Sequence, residues 1–178
     1  MNQVPPSISE LTLAATPNAV AWARRHTVDI LQRWRFPDEG IEVARLLVSE
    51  LATNAIQHAG LPMSTTAANA GTAPLGTIVL RLCPTDRGVL IGVSDCDPTP
   101  PTPRASDSHA TGGRGLLLTQ TMADRWGYYP ERSPPGKTVW AEVPTQPKEG
   151  IASPSADLGG PETTPLVMGQ VLTALREL

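Results

Sequence analysis

The sequence predicts a two-layer α/β (α+β) sandwich, with helices lying against a mixed, mainly antiparallel sheet. Three observations predict it. Segments 17–35 and 38–59 repeat apolar residues at helical spacing. Segments 77–82 with 89–95, and 126–129 with 137–143, form two pairs of alternating strands, each pair joined by a tight turn. Between and beyond them lie Pro- and Gly-rich stretches too poor in apolar residues to pack. Amphipathic helices and half-buried strands can only cover one another, so two layers follow.

The chain of 178 residues reads as one domain over 9–144, between an unstructured start at 1–8 and a Pro/Gly-rich tail at 145–178. That length suffices for a substantial core. A formal net charge of -3 and a pI near 5.6 argue against bulk electrostatic binding to nucleic acid. No run approaches the ~20 apolar residues of a membrane span. The N-terminus lacks the basic region and apolar core of a secretory signal. Cys83 and Cys96 lack metal-ligand spacing and read as free thiols. The expectation is a soluble, cytoplasmic protein.

Ser9 to Leu13 alternates and reads as a short edge strand. Thr16-Pro17 starts a helix, with Thr as N-cap and Pro at the first helical position. That helix runs to about Arg35, with Val20, Ala21, Ala23, Val28, Leu31 and Trp34 as its apolar face. His26 reads as a surface or boundary histidine. A second helix runs from about Asp38 to Ala59, with Ile41, Ala44, Leu47, Leu51 and Ala55 facing inward and Gly60 and Pro62 ending it. Residues 60–76 form a long loop. Thr77–Leu82 and Val89–Asp95 pair as a hairpin across Asp86-Arg87-Gly88. Residues 98–111 form a second long loop, and the glycines at 112–115 open a third helix ending near Arg125. Trp126–Tyr129 and Lys137–Val143 form the last hairpin across Ser133–Gly136. Leu166, Val167, Val171, Leu172 and Leu175 suit a short amphipathic helix, marginal on its own.

Three features carry chemistry. On the second helix Glu50, Asn54 and His58 stand at successive i, i+4 positions, so a carboxylate, an amide and an imidazole share one stripe. Such a stripe suits a metal, phosphate or water better than a core. Asn54 offers a neutral oxygen to a hard cation such as Mg²⁺, and Glu50 a proton acceptor. Asp95, at a strand end, either caps a turn or accepts from an exocyclic amine such as that of adenine. Gly112-Gly113-Arg114-Gly115, opening a helix, exposes backbone N–H groups able to cradle an anion. The run is neither a P-loop nor a strand–glycine–helix dinucleotide fingerprint.

In order and spacing, these segments resemble the nucleotide-binding domain of gyrases, sensor histidine kinases and mismatch-repair ATPases. They are most similar to the branch of anti-sigma-factor serine kinases and their stand-alone bacterial relatives. The carriers are E-L-A-T-N-A-I-Q-H-A at 50–59, S-D-C-D-P at 94–98, G-G-R-G-L at 112–116 and K-T-V-W-A-E-V at 137–143. The resemblance covers about residues 10–144. It implies three helices on one face of the sheet, with ATP between the helix layer and a lid at 96–112. It implies that Asn54 coordinates Mg²⁺ bridging the phosphates, that Glu50 is the general base for a partner protein's serine, and that Asp95 binds the adenine amine. Gly113, Arg114, Gly115 and Leu116 would wrap the phosphates, Thr138 would support the adenine end beside Asp95, and His58 would lie near the phosphates.

One departure matters. Where the family has Asp-x-Gly-x-Gly, this chain has Asp95-Cys96-Asp97-Pro98-Thr99. Asp97 thus falls among the nucleotide-binding positions, where it narrows the approach of ligand to backbone and adds negative charge near the phosphates. The resemblance leaves two readings. One is an ATP-dependent protein serine/threonine kinase that acts on an antagonist protein and binds a sigma factor or an anti-anti-sigma protein. The other is an ATP-holding module that regulates transcription by sequestering such a partner without efficient catalysis. Glu50 separates them, since a pure binder needs no carboxylate there. Homodimers are common in the kinase branch.

Overall fold

The computed structural model describes residues 8–59, 76–101, 119 and 121–145. In chain order its elements are β1 (Ser9–Ala14), α1 (Pro17–Arg33), α2 (Asp38–His58), β2 (Thr77–Pro84), β3 (Gly88–Asp95), β4 (Arg125–Arg132) and β5 (Pro135–Pro144). The strands form one sheet in the order β1-β2-β3-β5-β4. Every pairing is antiparallel, so the expected mixed character is absent among the described residues. Of the predicted third helix, Thr119, Thr121 and Met122 are helical, but Ala123 and Asp124 lie beyond the helix and Arg125 already opens β4, where it pairs with Glu142; residues 112–118 and 120 lie outside the described residues, as do residues 1–7 and 146–178 and most of the two long loops.

Strand alternation sorts the sheet into two faces. Ile78, Leu80 and Leu82 of β2, Val89, Ile91 and Val93 of β3, and Val139, Ala141 and Val143 of β5 are all buried in the core. Leu11 and Leu13 of β1 and Trp126 and Tyr128 of β4 pack at its margin. Against this face lies α2, burying Ile41, Ala44, Leu47, Val48, Leu51, Ala52 and Ala55. The other face carries polar residues: Arg81 bonds Glu10 at 2.8 Å, and Arg125 grips Glu142 through two donors at 2.8 and 2.6 Å.

Most of the expected α1 face turns inward, with Ala23 and Leu31 buried and Val20, Val28 and Trp34 packed against the core. Ala19, Ala23, Thr27 and Leu31, each four apart, are buried, whereas Ala21 is exposed. Thr27 reads as polar in sequence, but its Oγ1 donates to the Ala23 carbonyl at 2.8 Å, which lets it enter the core satisfied. Thr16 sits at the N-cap with extended backbone but makes no side-chain capping bond. His26 has a partner after all: its Nε2 lies 2.8 Å from Ser9 Oγ, tying α1 to β1. Burial pushes the His26 ring below its ordinary 6.5, Asp29 pulls it back, and Arg33 adds to the drop. The unfolded chain therefore takes up this proton at a higher pH than the folded protein. Its contribution is complete above 6.5 and declines as pH falls through the window beneath that value. Melting curves between pH 7.5 and 5.5 should show this decline for wild type, and a smaller one for His26→Asn.

The end of α1 holds the only non-glycine residue with positive φ among the described residues, Arg35 at 57°. Its N–H bonds Gln32 O at 3.0 Å and the next N–H, of Phe36, bonds Leu31 O at 2.9 Å. This is a Schellman closure, whose left-handed position favours glycine. Arg35→Gly should raise stability by about 1 kcal/mol, read from urea unfolding. The opposite result would mean that the Arg35 side chain contributes more than its backbone strain costs.

Candidate functional site

The predicted stripe lies wholly within α2, and its lower half meets the far end of β3. Asp95 closes β3, and unbroken pairing from Gly88↔Pro144 to Asp95↔Lys137 keeps the side-chain alternation of β3 and β5 in phase. Asp95 therefore continues the row Val89, Ile91, Val93 on the helix-covered face, and Lys137 continues the row Val143, Ala141, Val139 beside it. Both side chains are only 1% exposed. Lys137 Nζ donates to Asp95 Oδ1 at 2.9 Å and to the Asp97 carbonyl at 3.0 Å. Asp95 Oδ1 also accepts the Asp97 N–H at 2.8 Å. Gly136 makes room for this turn, since a Cβ there would collide with the Asp95 carbonyl.

Asp97 then repeats the device. Its Oδ1 accepts the Thr99 N–H at 2.9 Å, and its Oδ2 lies 3.3 Å from His58 Nδ1 and 3.8 Å from Lys137 Nζ. The negative charge expected to crowd the phosphates is thus held between a lysine and a histidine. Partial burial pushes the Asp97 carboxyl up, but the Thr99 hydrogen bonds and the Lys137 and His58 charges prevail and hold it below the ordinary range. His58 in turn ties the last turn of α2 to the segment after β3, and Cys96 Sγ lies 3.9 Å from the Ala59 carbonyl at the same junction.

Thr138 is not brought to Asp95. It stands opposite Ser94, on the face away from the helices, where its Oγ1 donates to Glu131 Oε1 at 2.6 Å and lies 2.7 Å from Ser94 Oγ. A shift of one residue along a strand reverses the face, and the residue beside Asp95 is Lys137. The alternation of Lys137-Thr138-Val139-Trp140-Ala141 already carried this signal: the phase that buries Val139 and Ala141 also turns Lys137 inward. An inward lysine needs a buried anion.

Glu50 is half-buried, and the structure gives its side chain no hydrogen bond or ion pair among the described residues. Gly113, Arg114, Gly115 and Leu116 lie outside the described residues, as does most of the expected lid at 96–112.

Two atoms stand out. Among the described residues, the buried side-chain polar atoms without a hydrogen-bond partner are Asn54 Nδ2 and Asp95 Oδ2. A buried orphan costs about 1–3 kcal/mol, and folded proteins rarely leave one without a reason. Burial pushes the Asp95 carboxyl above its ordinary range, although Lys137 and the Asp97 N–H pull against it. One orphan acceptor and one orphan donor fit a ligand that offers both kinds of partner, as a nucleotide does with its base amine and phosphate oxygens. Asp95 Oδ2 is an acceptor with no donor, and Asn54 Nδ2 a donor with no acceptor, among the described residues.

The family model of the histidine kinase-like ATPase domain matches residues 13–143. The chain belongs to this family. The span runs from β1 to β5 and contains both orphan atoms. A search of curated proteins finds no significant match. Among solved structures, the histidine kinase-like ATPase fold here is similar to the RsbU and RsbW domains of Rv1364c from Mycobacterium tuberculosis, at 20% identity and a TM-score of 0.53. The match covers 78% of this chain and 32% of that one, so it spans about a third of the solved two-domain chain. At this identity the likeness is one of fold. Among the described residues, no helix is long and apolar enough to cross a membrane.

Proposed function

We propose that this chain is an ATP-binding regulatory protein of the anti-sigma-factor type, a protein serine/threonine kinase acting on an antagonist protein in transcription control. The observation that carries the reading is the pair of buried orphans, Asn54 Nδ2 and Asp95 Oδ2, on two separate elements of a histidine kinase-like ATPase domain. Asp95 would accept the exocyclic amine of adenine. Asn54 would hold Mg²⁺ through its amide oxygen and offer its N–H to a phosphate oxygen. Bound Mg²⁺ would neutralise charge across the phosphates, which is most of what phosphoryl transfer requires of its site. His58 and Asp97 would fix the end of α2 against β3, and the glycine segment at 113–116 would close on the phosphates.

Glu50 lies one turn before Asn54 and has no side-chain partner among the described residues. Its carboxylate would take the proton from the partner's hydroxyl as that oxygen bonds to the terminal phosphorus and the bond to the ADP oxygen breaks. The RsbW domain in the structural neighbour supports a partner drawn from sigma-factor regulation, either a sigma factor or an anti-anti-sigma protein. A homodimer would match the kinase branch that the sequence resembles.

Terminally radiolabelled ATP, incubated with candidate antagonist proteins, tests the kinase. Wild type should label a serine or threonine of the partner. Glu50→Gln should lose the labelling yet bind Mg-ATP within about threefold of wild type, because removing a proton acceptor leaves the binding contacts in place. Tight ATP binding with no transfer to any cognate partner would instead establish the sequestering module.

A further inference from the structure

We infer that Lys137 is a specificity-determining residue: by occupying Asp95 Oδ1 it leaves a single carboxylate oxygen for the base, which admits adenine and rejects guanine. This rests on the ATP reading above and goes beyond it, since Asp95 alone does not discriminate. A carboxylate with both oxygens free can take the two neighbouring donors of guanine, N1–H and N2–H₂, as a bidentate pair. Adenine presents one exocyclic donor, N6–H₂, beside a ring acceptor. In this protein Oδ1 already accepts from Lys137 Nζ at 2.9 Å and from the Asp97 N–H at 2.8 Å, while Oδ2 accepts from no donor among the described residues.

The arrangement is rigid. Lys137 also donates to the Asp97 carbonyl at 3.0 Å and faces the Asp97 carboxylate at 3.8 Å, so its ammonium is held on three sides. Its side chain and that of Asp95 are each 1% exposed, which leaves water little room to replace a missing contact. Guanine docked on Oδ2 through one donor would leave the second buried without an acceptor, and its O6 acceptor would face no donor from this pair. Rejection by unpaired polar groups is the stronger form of discrimination available to a binding site. The Asp97 side chain, which departs from the glycine of related sequences, belongs to the same device. It supplies the second carboxylate beside Lys137 and, through its backbone, two of the contacts that fix the lysine and Oδ1.

The test measures Mg-ATP and Mg-GTP binding by calorimetry for wild type, Lys137→Met, and the charge-balanced pair Lys137→Met with Asp97→Asn. The paired variant carries the test if the single one does not melt cooperatively. Wild type should prefer ATP strongly. Without Lys137, Oδ1 keeps only the Asp97 N–H and regains one acceptor site for the base, so the ATP-to-GTP preference should shrink at least about tenfold, the scale of one lost hydrogen-bond discrimination. A merely structural lysine would weaken both nucleotides in parallel. If a folded variant still binds ATP with the wild-type preference to within about twofold, Lys137 is not the selector. If folded wild type binds neither nucleotide, the ATP reading fails and takes this inference with it. If wild type binds ATP and GTP alike, the ATP reading stands and the inference alone is overturned.

Discussion

Asn54→Ala is expected to lower Mg-ATP affinity by about 100-fold, equivalent to roughly 2.7 kcal/mol, with no loss of folding stability. The two halves of this result have one cause. Asn54 Nδ2 is buried and has no hydrogen-bond partner among the described residues, so it bears a desolvation cost that no bond there offsets. Truncation removes that cost and leaves only a small space beside the α2 stripe. Urea unfolding of the variant should therefore match wild type or exceed it by about 1 kcal/mol. Adding Mg-ATP should stabilise wild type by mass action and should stabilise the variant equally only at about 100-fold higher concentration. An ordinary structural asparagine predicts the reverse pattern, with stability lost and nucleotide binding kept. That outcome would remove Asn54 from the site.

Asp95→Ala should be the most damaging single change, costing about 3–5 kcal/mol of stability. The side chains of Asp95 and Lys137 are 1% exposed, and deleting one leaves the other charge buried. Lys137 would retain only the Asp97 carbonyl at 3.0 Å and the Asp97 carboxylate at 3.8 Å. Against the typical 5–15 kcal/mol of a folded domain, this is a large fraction. Asp95→Asn separates fold from function. Its amide oxygen can still accept from Lys137 and from the Asp97 N–H, so stability should fall between wild type and Asp95→Ala. Its N–H₂ would then stand where Oδ2 was, donor against donor toward an adenine amine, and ATP binding should disappear. Urea unfolding and calorimetry on the three proteins check the order. An Asp95→Ala protein within about 1 kcal/mol of wild type would mean that the buried pair contributes nothing net, as some buried pairs do.

The helix stripe and the hairpins were legible because each is written in local periodicity. Glu50, Asn54 and His58 must share a face on any helix that contains them, and the alternation of 77–82 and 89–95 allows little but a hairpin. The inward row of α1 was less legible because Thr27 enters the core by bonding its own backbone, which periodicity of apolar residues does not register. His26 found its partner 17 residues away across an element boundary.

Local sequence sets which residue types are on hand: an acid, amide and imidazole on one helix face, an aspartate at a strand end, and strands that must pair. Which of them meet depends on how the elements pack and pair. The register of β5 on β3 is a long-range property, set by the whole ladder from Gly88↔Pro144 to Asp95↔Lys137. It turned Thr138 away and set Lys137 against Asp95. Burial likewise comes from packing α2 over the sheet, and burial is what turns an unused amide and an unused carboxylate oxygen from ordinary surface groups into groups that require a ligand.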